Sequence, residues 1–262
     1  MSFASILADA APIIEDNGFT ATITDEWKQG RTAYGGLSAA LALEGAKRLV
    51  NDLPPLRSAQ IAFVGPVDGE VRVLPRLLRQ GRNAVWVAVE LVGDGGVGLV
   101  ATFVFMRALP SSVSVGSPAA PHDLVSPDGA IPTDSEMRPA FLQHNFETRY
   151  ALPKARGREA DVCLWVRLLQ RDGLNPESEI MLIGDALPPA VVPVMQQRGP
   201  VSSMTWQINL LGKTVGPGDD GWWLLRSTAE GASDGNSSQS MLLWSCNGTA
   251  QAAGTQSVAV FA

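Results

Sequence analysis

Two polar residues are the candidates for chemistry, and the first stands where its neighbours lead one to expect an apolar one. Asp185 lies inside the run Ile180-Met181-Leu182-Ile183-Gly184-Asp185-Ala186-Leu187, where an unpaired charge is costly. Pro188 follows closely, so Asp185 reads as the N-cap of a helical stretch beginning at Ala186. A carboxylate beside a helix N-terminus can also serve as a general base or hold a water, while the first-turn amides polarise a carbonyl. The two readings are compatible, because the side chain has two oxygens. Gln256 lies between Thr255 and Ser257. Taken alone, a glutamine on a strand is a solvated surface residue.

Other constellations are missing. No Gly-x-Ser-x-Gly elbow, phosphate-binding loop or dinucleotide fingerprint occurs. The two histidines, His122 and His144, lie in or beside a Pro-rich stretch, which argues against a catalytic histidine triad. No His/Cys spacing suits a metal, and no cofactor is implied. Cys163 and Cys246 sit singly in apolar runs, where a buried thiol is the usual reading.

The elements that must position these residues come in two copies. Val64-Gly65-Pro66-Val67-Asp68-Gly69 opens one strand-like run, and Val215-Gly216-Pro217-Gly218-Asp219-Asp220-Gly221 opens another. In each copy, apolar strands follow in the same order, a long-period self-similarity that means duplicated folds. In the first copy, strands are expected at 18–27, 57–64, 69–78, 84–92 and 98–107. A helix rich in small residues runs from Gly35-Gly36 to Val50, before Pro54-Pro55. In the second, strands are expected at 146–152, 160–169, 201–211, 221–230, 239–246 and 251–261, with a helix over 177–197. Asn247-Gly248 predicts a type I′ hairpin. Gln60-Ile61 echoes Gln207-Ile208, and Lys47-Arg48 echoes Gln197-Arg198.

One helix among antiparallel strands, twice over, is an α+β pattern. The expected division is 1–107, a connector 108–144 rich in Pro and Ser, and 145–262. Aligning Arg48 with Arg198 sets Asp185 opposite Gly35. Aligning Phe105 with Phe261 sets Gln256 opposite Val100. On that alignment the second copy carries the polar groups, and one active site per chain is expected, at the second helix.

The 262 residues allow two cores, and a net charge of −6 argues against nucleic acid as a partner. No apolar run is long enough for a membrane span. The first fourteen residues lack the basic start of a secretory signal, so a cytoplasmic protein is expected.

Duplicated strand–helix–strand units, with an Asp by the second helix and a Gln on the last strand, resemble the thioesterase II family. These are acyl-CoA thioesterases of double-hotdog fold, two tandem hotdog domains. The segment Gly30-Arg31-Thr32-Ala33-Tyr34-Gly35-Gly36 resembles that family's opening of the first helix, and Gln80-Gly81-Arg82-Asn83 a turn before its fourth strand. Gly184-Asp185-Ala186-Leu187-Pro188 resembles the segment holding the catalytic Asp. Asn247-Gly248 with Ala253-Gly254-Thr255-Gln256 resembles the closing hairpin. The resemblance implies catalytic roles for Asp185 and Gln256, and substrate-binding positions at Gly35, Gly36 and Gly184.

The family's third polar residue falls on Val201 without a gap, with Ser202, Ser203 and Thr205 close behind; Ser203 is the preferred stand-in. The implied substrate is an acyl-CoA, hydrolysed by an activated water with no metal or cofactor. A hydratase or dehydratase and a non-catalytic acyl-ligand-binding protein are the alternatives. Exposed sheet edges leave a homodimer or higher homo-oligomer open.

Overall fold

In the computed structural model, which describes residues 1–134, 138–153, 159–197, 199–212 and 214–261, twelve strands form one antiparallel sheet. The first half runs α1 (Phe3–Ala8), β1 (Ala11–Ile13), β2 (Gly18–Ile23), a two-strand pair β3 (Lys28–Gln29) and β4 (Thr32–Ala33), then α2 (Gly35–Leu49). β5 (Leu56–Phe63), β6 (Gly69–Gln80), β7 (Ala84–Gly93) and β8 (Gly96–Met106) follow. After α3 (Ala140–Asn145), the second half runs β9 (Phe146–Tyr150), β10 (Asp161–Leu168), α4 (Pro176–Gly184), β11 (Val201–Leu210), β12 (Trp223–Ser233), β13 (Asn236–Ser245) and β14 (Ala250–Val260). The sheet order is β1-β2-β6-β7-β8-β5-β11-β14-β13-β12-β10-β9. Each half therefore has the same connectivity, and the two join through β5 and β11.

That join shows the duplication residue by residue. β5 and β11 pair antiparallel, with Gln207 opposite Gln60 at the centre of the register. Gln60 then pairs with Thr102 and Gln207 with Thr255 on the next strand out. The echo of Gln60 and Gln207 in the sequence is thus a pseudo-two-fold axis.

Each half wraps its sheet around a helix. Residues 36–43 of α2 are all buried, a length that small side chains such as Ala39, Ala40 and Ala42 make possible. Basic Lys47 and Arg48 complete its last turn, where they complement the helix dipole. α4 is shorter. The Asn175 side chain accepts from the Ser178 N–H, Pro176 starts the helix and acidic Glu177 and Glu179 fill the first turn. Glu179 is 3% exposed, and its carboxylate is satisfied by Arg171 at 2.8 Å and the Trp223 indole at 3.0 Å.

Several expectations are corrected here. The second helix does not run over 177–197; it ends at Gly184, before Pro188-Pro189. Asp185 is its C-cap, not an N-cap. Arg198, used to align the helix ends, lies outside the described residues. The type I′ dipeptide is Asp234-Gly235, with φ of 52° and 76°, between β12 and β13. At Asn247-Gly248 only the glycine has positive φ, and the Asn247 side chain instead accepts from the Thr249 N–H. Cys163 is buried as expected, but Cys246 is exposed in that turn.

A second apolar cluster lies apart from the helix-bearing core. Trp165, Trp222, Leu224 and Trp244 form it with Cys163, and Ala120, Leu124 and Val125 pack against it. The indole of Trp165 donates to the Val125 carbonyl at 2.8 Å, and that of Trp244 to the Pro118 carbonyl at 2.9 Å. Chain between the two halves is thereby strapped onto strands of the second half.

Candidate active site

The C-terminal end of α4 meets the N-terminal end of α2. Tyr34, the residue before α2, is fully buried; its hydroxyl donates to the Leu182 carbonyl at 2.7 Å, satisfying an acceptor in the last turn of α4. Phe141 of α3 stacks on the Tyr34 ring with centroids 4.0 Å apart. The helices approach so closely that a Cβ on Gly36 would stand 2.6 Å from the Leu182 carbonyl oxygen, and one on Gly35 would collide with the Asp185 carboxylate. Only glycine fits at either position.

Asp185 is set in this junction. Its Oδ1 accepts from Gln256 Nε2 at 2.7 Å, and the Gly36 backbone N–H lies near enough to favour the charged form. Burial pushes the carboxyl up to about 7, against the opposing pull of the Gln256 amide and the Gly36 N–H. The residue as a whole is half-buried, while its carboxylate packs against Gly35 and the buried Gln256. A carboxyl poised near neutrality, fed by an amide and a helix N-terminus, can take a proton from a water.

The two copies were expected to differ here, and they do, but in another register. Gly35 and Asp185 are in contact, and they are not equivalents: the helices start at Gly35 and Pro176. Because Thr102 matches Thr255 about the pseudo-axis, Gln256 corresponds to buried Phe103, not to exposed Val100. Phe103 pairs with Val87, whereas Gln256 pairs with Gln239. One half thus has an apolar cross-strand pair where the other has two glutamines. The site sits between the halves, with α2 of the first facing Asp185 and Gln256 of the second.

Gln239 escaped the sequence reading. It is 1% exposed, donates through Nε2 to Gln256 Oε1 at 2.6 Å, and accepts from the Ala190 N–H at 2.8 Å. The signal that could have found it is the Asp234-Gly235 hairpin. That turn sets the alternation of β13, which puts Ser237, Gln239, Met241 and Leu243 on the buried face. The buried Ser237 hydroxyl has no hydrogen bond among the described residues.

Ser203 stands opposite Val258, two residues along β14 from Gln256, on the same inward face. It makes no side-chain hydrogen bond among the described residues. A bulge at Met204 turns Thr205 outward, so 203 and 205 do not share a face as strict alternation implies. Val201 lies opposite Val260. Gly184 packs under the ring of Trp206, the residue paired with Gln256, and both line a small apolar cavity with Leu187, Ile208, Leu225 and Met241. No group of His, Cys, Asp or Glu among the described residues could hold a metal ion, and no described helix is long and apolar enough to cross a membrane.

The chain matches two family descriptions in succession: "Acyl-CoA thioesterase N-terminal domain" over residues 23–106 and "Acyl-CoA thioesterase C-terminal domain" over residues 119–260. It belongs to the acyl-CoA thioesterase family. No curated protein matches it in sequence. Among solved structures, a hot dog fold protein of unknown function from Alicyclobacillus acidocaldarius is 20% identical, with a TM-score of 0.81 over 94% of this chain and 93% of its own. The tesB protein of Mycobacterium avium subs paratuberculosis is 18% identical, with a TM-score of 0.78 over 98% of this chain and 99% of its own. Acyl-CoA thioesterase II TesB2 of Mycobacterium marinum is 20% identical, at 0.72 over 99% and 96%. At these identities the likeness is one of fold: the acyl-CoA thioesterase chain is a double hotdog of α+β class.

Proposed function

We propose that the chain hydrolyses a fatty or related acyl-CoA thioester to free acid and CoA. Asp185, with Gln256, holds a water and takes its proton as the oxygen attacks the thioester carbonyl carbon. Negative charge passes to the carbonyl oxygen, and the first-turn amides of α2 stabilise it. The C–S bond then breaks, and the proton returns from Asp185 to the departing sulfur. Ser203, on the inner face near Gln256, is the side chain we assign to complete the hydrogen bonds of the water.

The observation that carries this reading is the 2.7 Å hydrogen bond from Gln256 to Asp185, whose carboxylate lies against Gly35 at the start of α2. Desolvation holds that carboxyl at about 7, where a general base is effective. A hydratase reading asks for a histidine beside the carboxylate, and among the described residues Asp185 has the Gln256 amide as its hydrogen-bond partner.

Release of free thiol from a panel of acyl-CoAs tests the proposal. Wild type should turn over at least one of them, and Asp185→Asn should lower kcat by about a hundred- to ten-thousand-fold. Undiminished hydrolysis by the variant would sink the base assignment. Binding of acyl-CoA by wild type without thiol release would instead identify a ligand-binding protein.

A further inference from the structure

The three buried amide and carboxylate groups are linked head to tail. The Ala190 N–H donates to Gln239 Oε1 at 2.8 Å, Gln239 Nε2 to Gln256 Oε1 at 2.6 Å, and Gln256 Nε2 to Asp185 Oδ1 at 2.7 Å. A backbone N–H can only donate, so the oxygen of Gln239 must face Ala190. Its NH₂ must then face Gln256, whose oxygen is thereby occupied. Only one orientation of Gln256 remains, with its NH₂ toward Asp185.

We propose that Gln239 is a positioning residue: it forces Gln256 to present N–H, and not oxygen, to Asp185 and the water. This role rests on the thioesterase reading. The relay starts five residues after Asp185 itself, beyond Pro188-Pro189, whose fixed φ angles stiffen the path to Ala190. Backbone from 185 to 190 and the side chains of Gln239 and Gln256 thus form one closed ring around the carboxylate. A free glutamine amide can rotate by half a turn and would then set oxygen against carboxylate. In the first half, where no such carboxylate is served, the same cross-strand positions are Val87 and Phe103.

Two substitutions test it, read by the pH dependence of kcat/KM and by the carboxyl ¹³C shift of Asp185. Gln239→Met keeps the volume and removes the relay. It should lower kcat at least tenfold with KM within twofold, and move the acidic limb and the Asp185 titration upward by about one pH unit, since the carboxylate loses a fixed donor. Gln239→Glu keeps the donor direction only while the new carboxyl is protonated, so it should add a descending alkaline limb absent from wild type. It also serves if the methionine variant does not fold.

A purely structural role would lower the melting temperature, leave the acidic limb and the titration in place and add no alkaline limb, and that result overturns the proposal. Failure of wild type to cleave any acyl-CoA is a different outcome. It removes the thioesterase reading, while the Asp185 titration still decides the relay.

Discussion

Asp185 holds its charge between two helix ends of opposite sign. It is the C-cap of α4, a helix end that disfavours a carboxylate, and it lies by the Gly36 N–H at the start of α2, which favours one. Burial outweighs the amides, and the carboxyl moves up to about 7 from 3.8. Activity that needs the ionised base should therefore rise through about pH 7.

Stability should run the other way. Between pH 3.8 and about 7 the folded chain keeps a proton that the unfolded chain has released, so this contribution is full below 3.8 and gone above about 7. A tenfold difference in proton affinity between folded and unfolded chains is worth about 1.4 kcal/mol, and less here because the residue is only half-buried. The melting temperature of wild type should fall relative to that of Asp185→Asn as pH rises from about 5 to about 8. Parallel curves would show that the folded state leaves this carboxyl unperturbed.

At the scale of elements, the site depends on how closely two helices approach. Gly36 lets the start of α2 lie against the Leu182 carbonyl, and Tyr34 ties the same two turns together. Gly36→Ala should cost about 1–3 kcal/mol through overpacking. It should lower kcat more than KM, since it separates the amides from Asp185 without touching Gln256. A denaturant melt with steady-state kinetics checks both, and wild-type kcat in a destabilised variant would detach this contact from catalysis.

Asp185 was legible as a carboxylate in an apolar run, while Gln256 and the glycines at 35 and 36 were legible through the family resemblance. Their relation was not, because a short helix and a bulged strand shift equivalences between copies in ways that matching the ends of runs cannot detect. Gln239 needed the register of the β12–β13 hairpin, whose turn lies at Asp234-Gly235 and not at the more conspicuous Asn247-Gly248.

Over the whole molecule, the two halves share connectivity, and the second buries the outer face of its sheet as well as the inner one. The second half carries an outer cluster around Trp165, Trp222, Leu224 and Trp244, and the chain near Pro118 and Val125 closes over it. Arg149 and Arg167 add guanidinium contacts to the Trp222 ring at 5.1 and 4.6 Å. Trp165→Ala should cost about 3–5 kcal/mol and free that chain. Limited digestion with a broad-specificity protease should then cut within 108–133 well before the sheet. An unchanged digestion pattern would mean that the strap is held without the indole.

Periodicity, glycine and proline punctuation and an internal echo were sufficient to indicate the α+β class, the doubling and one carboxylate in an apolar run; Gln256 was singled out by the family resemblance. Which half serves which depends on long-range register. β5 meets β11 about Gln60 and Gln207, and that single pairing carries the start of the first helix to the carboxylate at the end of the second. No local pattern encodes such a distance, because cross-strand pairing and helix approach are set by the packing of the whole sheet. The sequence by itself determined two similar halves with polar residues in the second; only the tertiary structure brought the start of the first helix against them in one candidate site.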